Sequence, residues 1–454
     1  MKGKHRFDRH WWCPGALPIG LLASLFLAGG AAADPLLGAS EAQAFSPTAI
    51  IRTEINTVTG GLSYGGSAVD QGANTAAGFP LLNAISLNHD TRLTLDTSFT
   101  GRDLFRLRLR SGDFGRSGFF SNPPTPLTRL DVAFQEPLCA IGQTSCKANL
   151  VSVNRAFLQV PISSRIRLSV GPRIMQVDLL PVWPSLYNSS TILELFQRSG
   201  AAGAYNRRVG SGFGAWWQPA GRLSGLTLAY ATIAGNADRG SPSGGGLFTA
   251  GAAQTSTLQL AYTRPSWNLT LTYGLSGPQA LLRGTPLASQ LAATGRNGSI
   301  SSWSVAGYWQ PARGGWIPSI SAGWGYDRFG FATYPVAGLS AVSTSSWSVG
   351  LVWGDVLSSG NTVSLAVGAP AHVMRLEGVP EASRIDDSGL AFELAGLILV
   401  SDQLSVTPAI FWLTRPRGAM ASTDDLNAVL LGPADGDARR LGVWGALVRA
   451  TVRF

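Results

Sequence analysis

Arg92-Leu93-Thr94-Leu95-Asp96-Thr97-Ser98-Phe99, then Thr100-Gly101-Arg102-Asp103, then Leu104-Phe105-Arg106-Leu107-Arg108-Leu109-Arg110 is the stretch that decides the fold. Leu93, Leu95, Phe99, Phe105, Leu107 and Leu109 fall on alternate positions. Arg92, Asp96, Arg106, Arg108 and Arg110 stand between them. A period of two over this length predicts two antiparallel strands joined by a four-residue turn, one face apolar and the other charged. A soluble protein would turn the apolar face to its core. A membrane barrel would turn it to lipid and point the arginines into a wet lumen. The hairpin alone fits both.

The composition favours the barrel. Charged residues make up 13% of the 454 residues, about half the ordinary globular share of ~25%. Gly (55) and Trp (14) are plentiful. The mean hydropathy is positive, yet past the N-terminus no run approaches the ~20 apolar residues of a spanning helix. Closed barrels are then the membrane architecture left.

The N-terminus predicts a targeting segment. Lys2, Lys4, Arg6 and Arg9 precede the apolar run Ala16 to Leu27, and Ala31-Ala32-Ala33 supplies an A-x-A cleavage site. Ala42-Gln43-Ala44 offers a second one, and a retained anchor is the competing reading. On the first site, residues 1–33 are a signal peptide, 34–47 a short segment, and 48–454 the barrel. Export suits the cysteines. Cys13 leaves with the signal, and Cys139 and Cys146 can close a small disulfide loop in an oxidising compartment. Two free thiols are the alternative. Two cysteines without nearby histidines do not make a zinc site, and no cofactor is expected.

The formal charge of +9 falls by three, to about +6, when the signal is removed. Lys147 is then the only lysine, so the cations are arginines, whose fixed charge and planar fork suit a pore wall or an anion site. They alternate with apolar residues and form no cluster, which argues against nucleic-acid binding. His89 and His372 are the only histidines after the signal. With no catalytic triad motif, phosphate loop or metal-ligand spacing, the chain does not read as an enzyme.

Strands follow at 48–64, 92–99, 105–110, 150–160, 166–170, 213–218, 223–233, 257–263, 267–275, 303–310, 317–326, 347–353, 363–367, 390–400, 404–412 and 443–454. The expectation is an all-β transmembrane antiparallel barrel of about 16 strands, with short turns on the periplasmic rim and long loops on the extracellular rim. Aromatics such as Tyr262, Trp267, Trp303 and Trp412 stand at strand ends, as interfacial girdles do. The last strand ends on Phe454 and resembles the signature that outer-membrane proteins present to the barrel-assembly machinery.

Four groups of segments carry a resemblance to a known family. They are 92–104 with the Arg-x-Arg-Leu-x-x-Gly-Asp-Phe that follows; Gly244-Gly-Gly-Leu-Phe248 with the 257–273 hairpin; Gly350-Leu-Val-Trp-Gly-Asp355 with Gly360-Asn361 and Val367-Gly-Ala-Pro370; and 404–414 with Val448-Arg-Ala-Thr-Val-Arg-Phe454. Together they resemble the cyanobacterial porins, often called iron uptake porins, of the carbohydrate-selective, OprB-like group. The resemblance implies an outer-membrane homotrimer of sixteen-stranded barrels passing small polar solutes and ions, sugars or iron among them, in a cyanobacterial cell. Longer members carry an S-layer-homology domain and a helical spacer before the barrel. The segment 34–47 has room for neither, so the likeness does not extend to cell-wall anchoring.

The connection Met175–Val209 is the third long loop, which in general porins folds inward and narrows the barrel. Thr191 and Glu194 are spaced as a capping box opening a short helix, with Ile192, Leu195 and Phe196 to pack it against the wall. Asp178 and Glu194, with Arg198 nearby, would oppose wall arginines Arg92, Arg106, Arg108, Arg110, Arg165 and Arg167 across the constriction. Such a transverse field would set charge preference. The alternatives are ordinary solvated lumen residues, or a structural or adhesive barrel with a closed lumen.

Overall fold

The computed structural model describes residues 49–454 apart from 137–146, 188–189, 295–297, 313–314, 332–335, 337, 380–384 and 432–439. The signal peptide, segment 34–47, Cys139 and Cys146 lie outside the described residues.

Sixteen antiparallel strands close a barrel: β1 (Ile50–Gly65), β2 (Ser86–Thr97), β3 (Leu104–Gly112), β4 (Ser152–Pro161), β5 (Ile166–Met175), β6 (Val209–Trp217), β7 (Leu226–Ala234), β8 (Gln254–Arg264), β9 (Trp267–Ser276), β10 (Ile300–Trp309), β11 (Ser319–Gly330), β12 (Ala341–Gly354), β13 (Thr362–Glu377), β14 (Ala391–Leu399), β15 (Leu404–Leu413) and β16 (Gly442–Arg453). Each pairs with its sequence neighbours, and β1 pairs with β16 in the register Glu54↔Arg453 to Gly65↔Gly442. The Thr53 amide donates to the Phe454 carbonyl at 2.7 Å, fastening the chain end to the first strand. No edge is left unpaired, which is what a bilayer demands of a sheet.

The alternation is inverted relative to a soluble protein. On β9, Leu269 and Leu271 are 54% and 46% exposed, while Thr270 and Thr272 between them are 1% and 0% exposed. The same holds for Leu258 and Leu260 around Gln259 on β8. The leucines make an apolar outer band for acyl tails, and the polar residues face the interior. Aromatic pairs ladder across the outer surface, with Trp412 between Phe392 at 5.4 Å and Trp444 at 5.1 Å.

Connections alternate in length. Residues 162–165, 265–266 and 400–403 are short turns on one rim. The long loops L1 (66–85), L2 (113–151), L3 (176–208), L4 (235–253), L5 (277–299), L6 (331–340), L7 (378–390) and L8 (414–441) all leave the other. Several fold back into the barrel. L2 buries Phe114, Phe119, Leu130 and Val132, and L3 buries Leu179, Ile192, Leu193, Phe196 and Tyr205. L5 carries helix α1 (Pro286–Ala293), capped by the Thr285 hydroxyl, which accepts from the Ala288 amide at 3.2 Å, with Pro286 opening the first turn.

Candidate functional site

The candidate site is the lumen, built first by the β2–β3 hairpin. Its register sets Arg92 opposite Arg110, Thr94 opposite Arg108, and Asp96 opposite Arg106. Placing Arg92 beside Arg110 would be repulsive. Asp90, one turn of the pleat away and fully buried, resolves it by taking Arg92 at 2.7 Å and Arg110 at 2.5 Å. Arg92 also reaches Glu54 on β1 at 2.8 Å. Asp96 takes Arg106 at 2.7 Å and Arg52. Arg108 donates to the Thr94 hydroxyl at 2.9 Å and has no carboxylate partner among the described residues.

The predicted opposition between loop acids and wall arginines is present with different partners. Asp178 pairs with Arg155 on β4 at 2.5 Å, not with the hairpin. Asp131 of L2 pairs with Arg449 on β16 at 3.0 Å. Glu194 contacts no wall arginine among the described residues. It is enclosed by Arg129 of L2 at 2.8 Å, Arg198 of L3 at 2.7 Å and Arg283 of L5 at 3.3 Å. Burial pushes its carboxyl up, but Arg283, Arg198 and Arg129 outweigh that and hold it well below the usual carboxylate range. Arg92, Arg106 and Arg110 take strand acids (Glu54, Asp90 and Asp96) and Arg155 takes Asp178, which leaves Glu194 to organise the loops. Arg165 and Arg167 lie exposed beside the short turn 162–165, on the rim opposite the long loops, and do not join the others.

The expected capping box does not form. Thr191 donates to the Tyr187 carbonyl at 3.1 Å, and Glu194–Arg198 is a five-residue 3₁₀ turn without a side-chain cap. Both oxygens of Glu194 point to guanidinium groups instead of back to a cap amide. Ile192 and Phe196 are buried as expected.

L3 is fixed to the opposite wall by contacts that sequence reasoning did not find. Glu393 on β14 accepts from the Tyr187 hydroxyl at 2.7 Å and from the amides of Ile192 at 2.9 Å and Leu193 at 2.6 Å. The Tyr205 hydroxyl bonds Thr270 and Thr272 at 2.9 and 2.7 Å. The Ser346 hydroxyl donates to the Gly200 carbonyl at 3.0 Å. Close approach needs glycine at two places. A Cβ on Gly350 would stand 2.5 Å from the Tyr187 ring, and one on Gly323 would stand 2.0 Å from the Ser199 carbonyl. The available signal was the run of Ser, Gly and Ala on the inward faces of β10 to β13.

L2 was also missed. It runs beside L3 through the Leu130↔Leu193 bridge, with the Asp131 amide on the Ile192 carbonyl at 2.8 Å and the Glu194 amide on the Arg129 carbonyl at 2.9 Å. Its signal was a Gly/Pro-rich loop carrying Phe114, Phe119, Phe120, Leu127 and Leu130, more apolar surface than a loop leaves in water.

Among solved structures, OprB from Pseudomonas putida superposes on 89% of this chain and 94% of its own, with a TM-score of 0.54 and 12% sequence identity. The anion-selective porin from Comamonas acidovorans superposes on 90% of this chain and all of its own, with a TM-score of 0.50 and 11% identity. The fold is porin-like. At these identities the likeness concerns the fold alone. No family model matches the sequence. A curated relative, the uncharacterized protein sll0772 of Synechocystis, is 25% identical over 345 residues, covering 71% of this chain. The match spans 58% of that relative's length.

Proposed function

We propose that this porin-like barrel is an outer-membrane channel for passive diffusion of small hydrophilic solutes, with a preference for anions over cations and with neutral polar solutes admitted. The observation that carries it is the arginine wall. Arg92, Arg106, Arg108, Arg110 and Arg155 line β2 to β4, L3 meets this wall at Arg155 through Asp178, and Arg108 has no carboxylate partner among the described residues. An unpaired, fixed cation on the low-dielectric wall of a wet lumen attracts anions and repels cations. Similarity in fold to a porin described as anion-selective is in keeping with this reading. Sugars and iron as cargo rest on the family resemblance alone, and the arginine wall favours an anionic or neutral form of any such cargo.

The surrounding assembly belongs to the same proposal: a homotrimer in the outer membrane of a Gram-negative-type, cyanobacterial cell, inserted by the barrel-assembly machinery reading Phe454. Long loops would face outward and short turns the periplasm. Cys139 and Cys146 would form a disulfide in L2 on export. Purified protein in planar bilayers under a salt gradient tests the channel, the expected result being a reversal potential of anionic sign. A cationic sign would overturn the selectivity. Absence of conductance would overturn the channel and leave a structural or adhesive barrel.

A further inference from the structure

L2, L3 and L5 enclose a cavity of about 370 Å³ against β12 and β13, within the size range of small-molecule sites of ~300–1,000 Å³. Its charged lining is Arg129, Arg198, Arg283 and Glu194, three cations to one anion. Both oxygens of Glu194 are already taken by these arginines. Arg129 is further fixed by the Phe120 ring, 4.2 Å from its guanidinium carbon, and by the Ala133 carbonyl at 2.9 Å. Arg198 donates to the Asn206 carbonyl at 2.7 Å. Burial pulls Arg129 down to about 9 and Arg198 down to about 10, which leaves both cationic at neutral pH.

Arg283 is the member free to meet a ligand. Its side chain is 44% exposed, and its hydrogen bonds use Nη1 on Ser121 and Glu194. Nε and Nη2 have no protein partner among the described residues. The loop places it firmly. Gly284 bridges to Ala371 on β13, and the Thr285 amide donates to the Ala371 carbonyl at 2.8 Å. Beside this cationic corner the cavity is apolar, lined by Phe120, Leu127, Leu195 and Leu281, and Leu281 stands exposed at its mouth.

We infer that this cavity is a binding site for small amphipathic monoanions, in which a carboxylate on an aromatic or aliphatic body docks its head on Arg283 and its body on Leu281 and Phe120. A cation would meet a net positive lining. A neutral sugar would leave the net positive corner uncompensated and cover the apolar wall with hydroxyls. A bare inorganic anion would leave the apolar wall unused. The inference names a solute class for the channel and rests on that reading only for the idea that the bound anion goes on to cross.

Benzoate, acetate and benzamide would be titrated into the detergent-solubilised full-length protein by calorimetry, and benzoate would be added to the same protein conducting in planar bilayers. Benzoate is expected to bind saturably and to reduce the chloride current. Benzamide and acetate should bind at least about tenfold more weakly, since one lacks the charge and the other the apolar body. Arg283→Gln should weaken benzoate by about tenfold or more, and Leu281→Ser by a smaller factor. Equal affinity for the three probes, or an Arg283→Gln protein that binds benzoate like the parent, would overturn the site. Should that variant fail to fold, the three-probe comparison on the parent decides alone. Benzoate binding without any conductance would leave the site standing and overturn the channel. Conductance indifferent to benzoate, with no calorimetric binding, would overturn the site and leave the channel.

Discussion

Strands β2 to β4 and strands β10 to β14 follow the same rule, apolar side chains outward and polar ones inward, yet their inward faces do opposite things. On β2 to β4 the inward residues are long and charged, and they meet acids of neighbouring strands and loop tips. On β10 to β14 they include Ser, Gly, Ala and two buried carboxylates, Asp327 and Glu393, and L3 lies directly on them. Tethering to the small-residue wall holds L3 mainly on that side, while the arginine wall is touched by L2 at Arg110 and by L3 at Arg155. An evenly charged lumen could not do this, because long side chains all round would hold L3 away from every strand.

The largest test of this difference is Glu393→Ala. It would strand the Tyr187 hydroxyl and the amides of Ile192 and Leu193 without an acceptor. At ~1–3 kcal/mol per buried donor left unpaired, the three donors put the loss at about 3–9 kcal/mol, read as a lower temperature for the gel-mobility shift of the folded form. L3 should also become open to limited proteolysis. Unchanged thermal and protease resistance would refute the anchoring of L3 to β14.

A second test uses pH. Asp387 of L7 takes the Thr285 hydroxyl at 2.6 Å and the amides of Val373 at 2.8 Å and Ala419 at 3.2 Å, clasping L5 and L8 to β13. Burial pushes its carboxyl up to about 6. A carboxyl raised on folding is best held when protonated. Its contribution is therefore whole below about pH 4 and is lost as the pH rises through about 6, a change on the order of 3 kcal/mol. Hydrogen exchange of L5 amides should quicken over that window, and Asp387→Asn should abolish the pH dependence. A flat profile in the parent protein would sink the assignment.

Selectivity gives the third test. Arg108→Glu reverses an inward hairpin charge that has no carboxylate partner among the described residues, so the anion-to-cation permeability ratio should drop by about fivefold, roughly 1 kcal/mol. The reversal potential reads this directly, and an unmoved potential would take the arginine wall out of the mechanism. The smallest effect is expected at Arg167→Gln. That side chain stands in open solvent at the short-turn rim, where counterions screen it within a Debye length of about 8 Å. A shift as large as that of Arg108→Glu would mean that the field is set at the rim.

The barrel was legible because its signal is local. Leu93, Leu95, Leu107 and Leu109 against Arg92, Asp96, Arg106 and Arg108 state a two-residue period, and the structure sets Leu93 opposite Leu109 and Leu95 opposite Leu107, with residues 98–103 joining the strands in place of the expected four-residue turn 100–103. Arg155 was not legible. The ladder slips between Arg108 and Leu109 and again between Ala156 and Leu158, so Asn154 and Arg155 are both buried and alternation cannot be counted through them.

Sequence by itself determined the sixteen strands, the alternation of short turns and long loops, and a hairpin wall of arginines, because each follows from neighbours two residues or one turn apart. Which acid meets which arginine, that L2 enters the barrel beside L3, and that three loops converge on Glu194 were decided by tertiary structure. Arg129, Glu194 and Arg283 come from different long loops, and no periodicity spans such separations. Only the closure of the barrel sets how far each loop must reach and which wall is smooth enough to receive it.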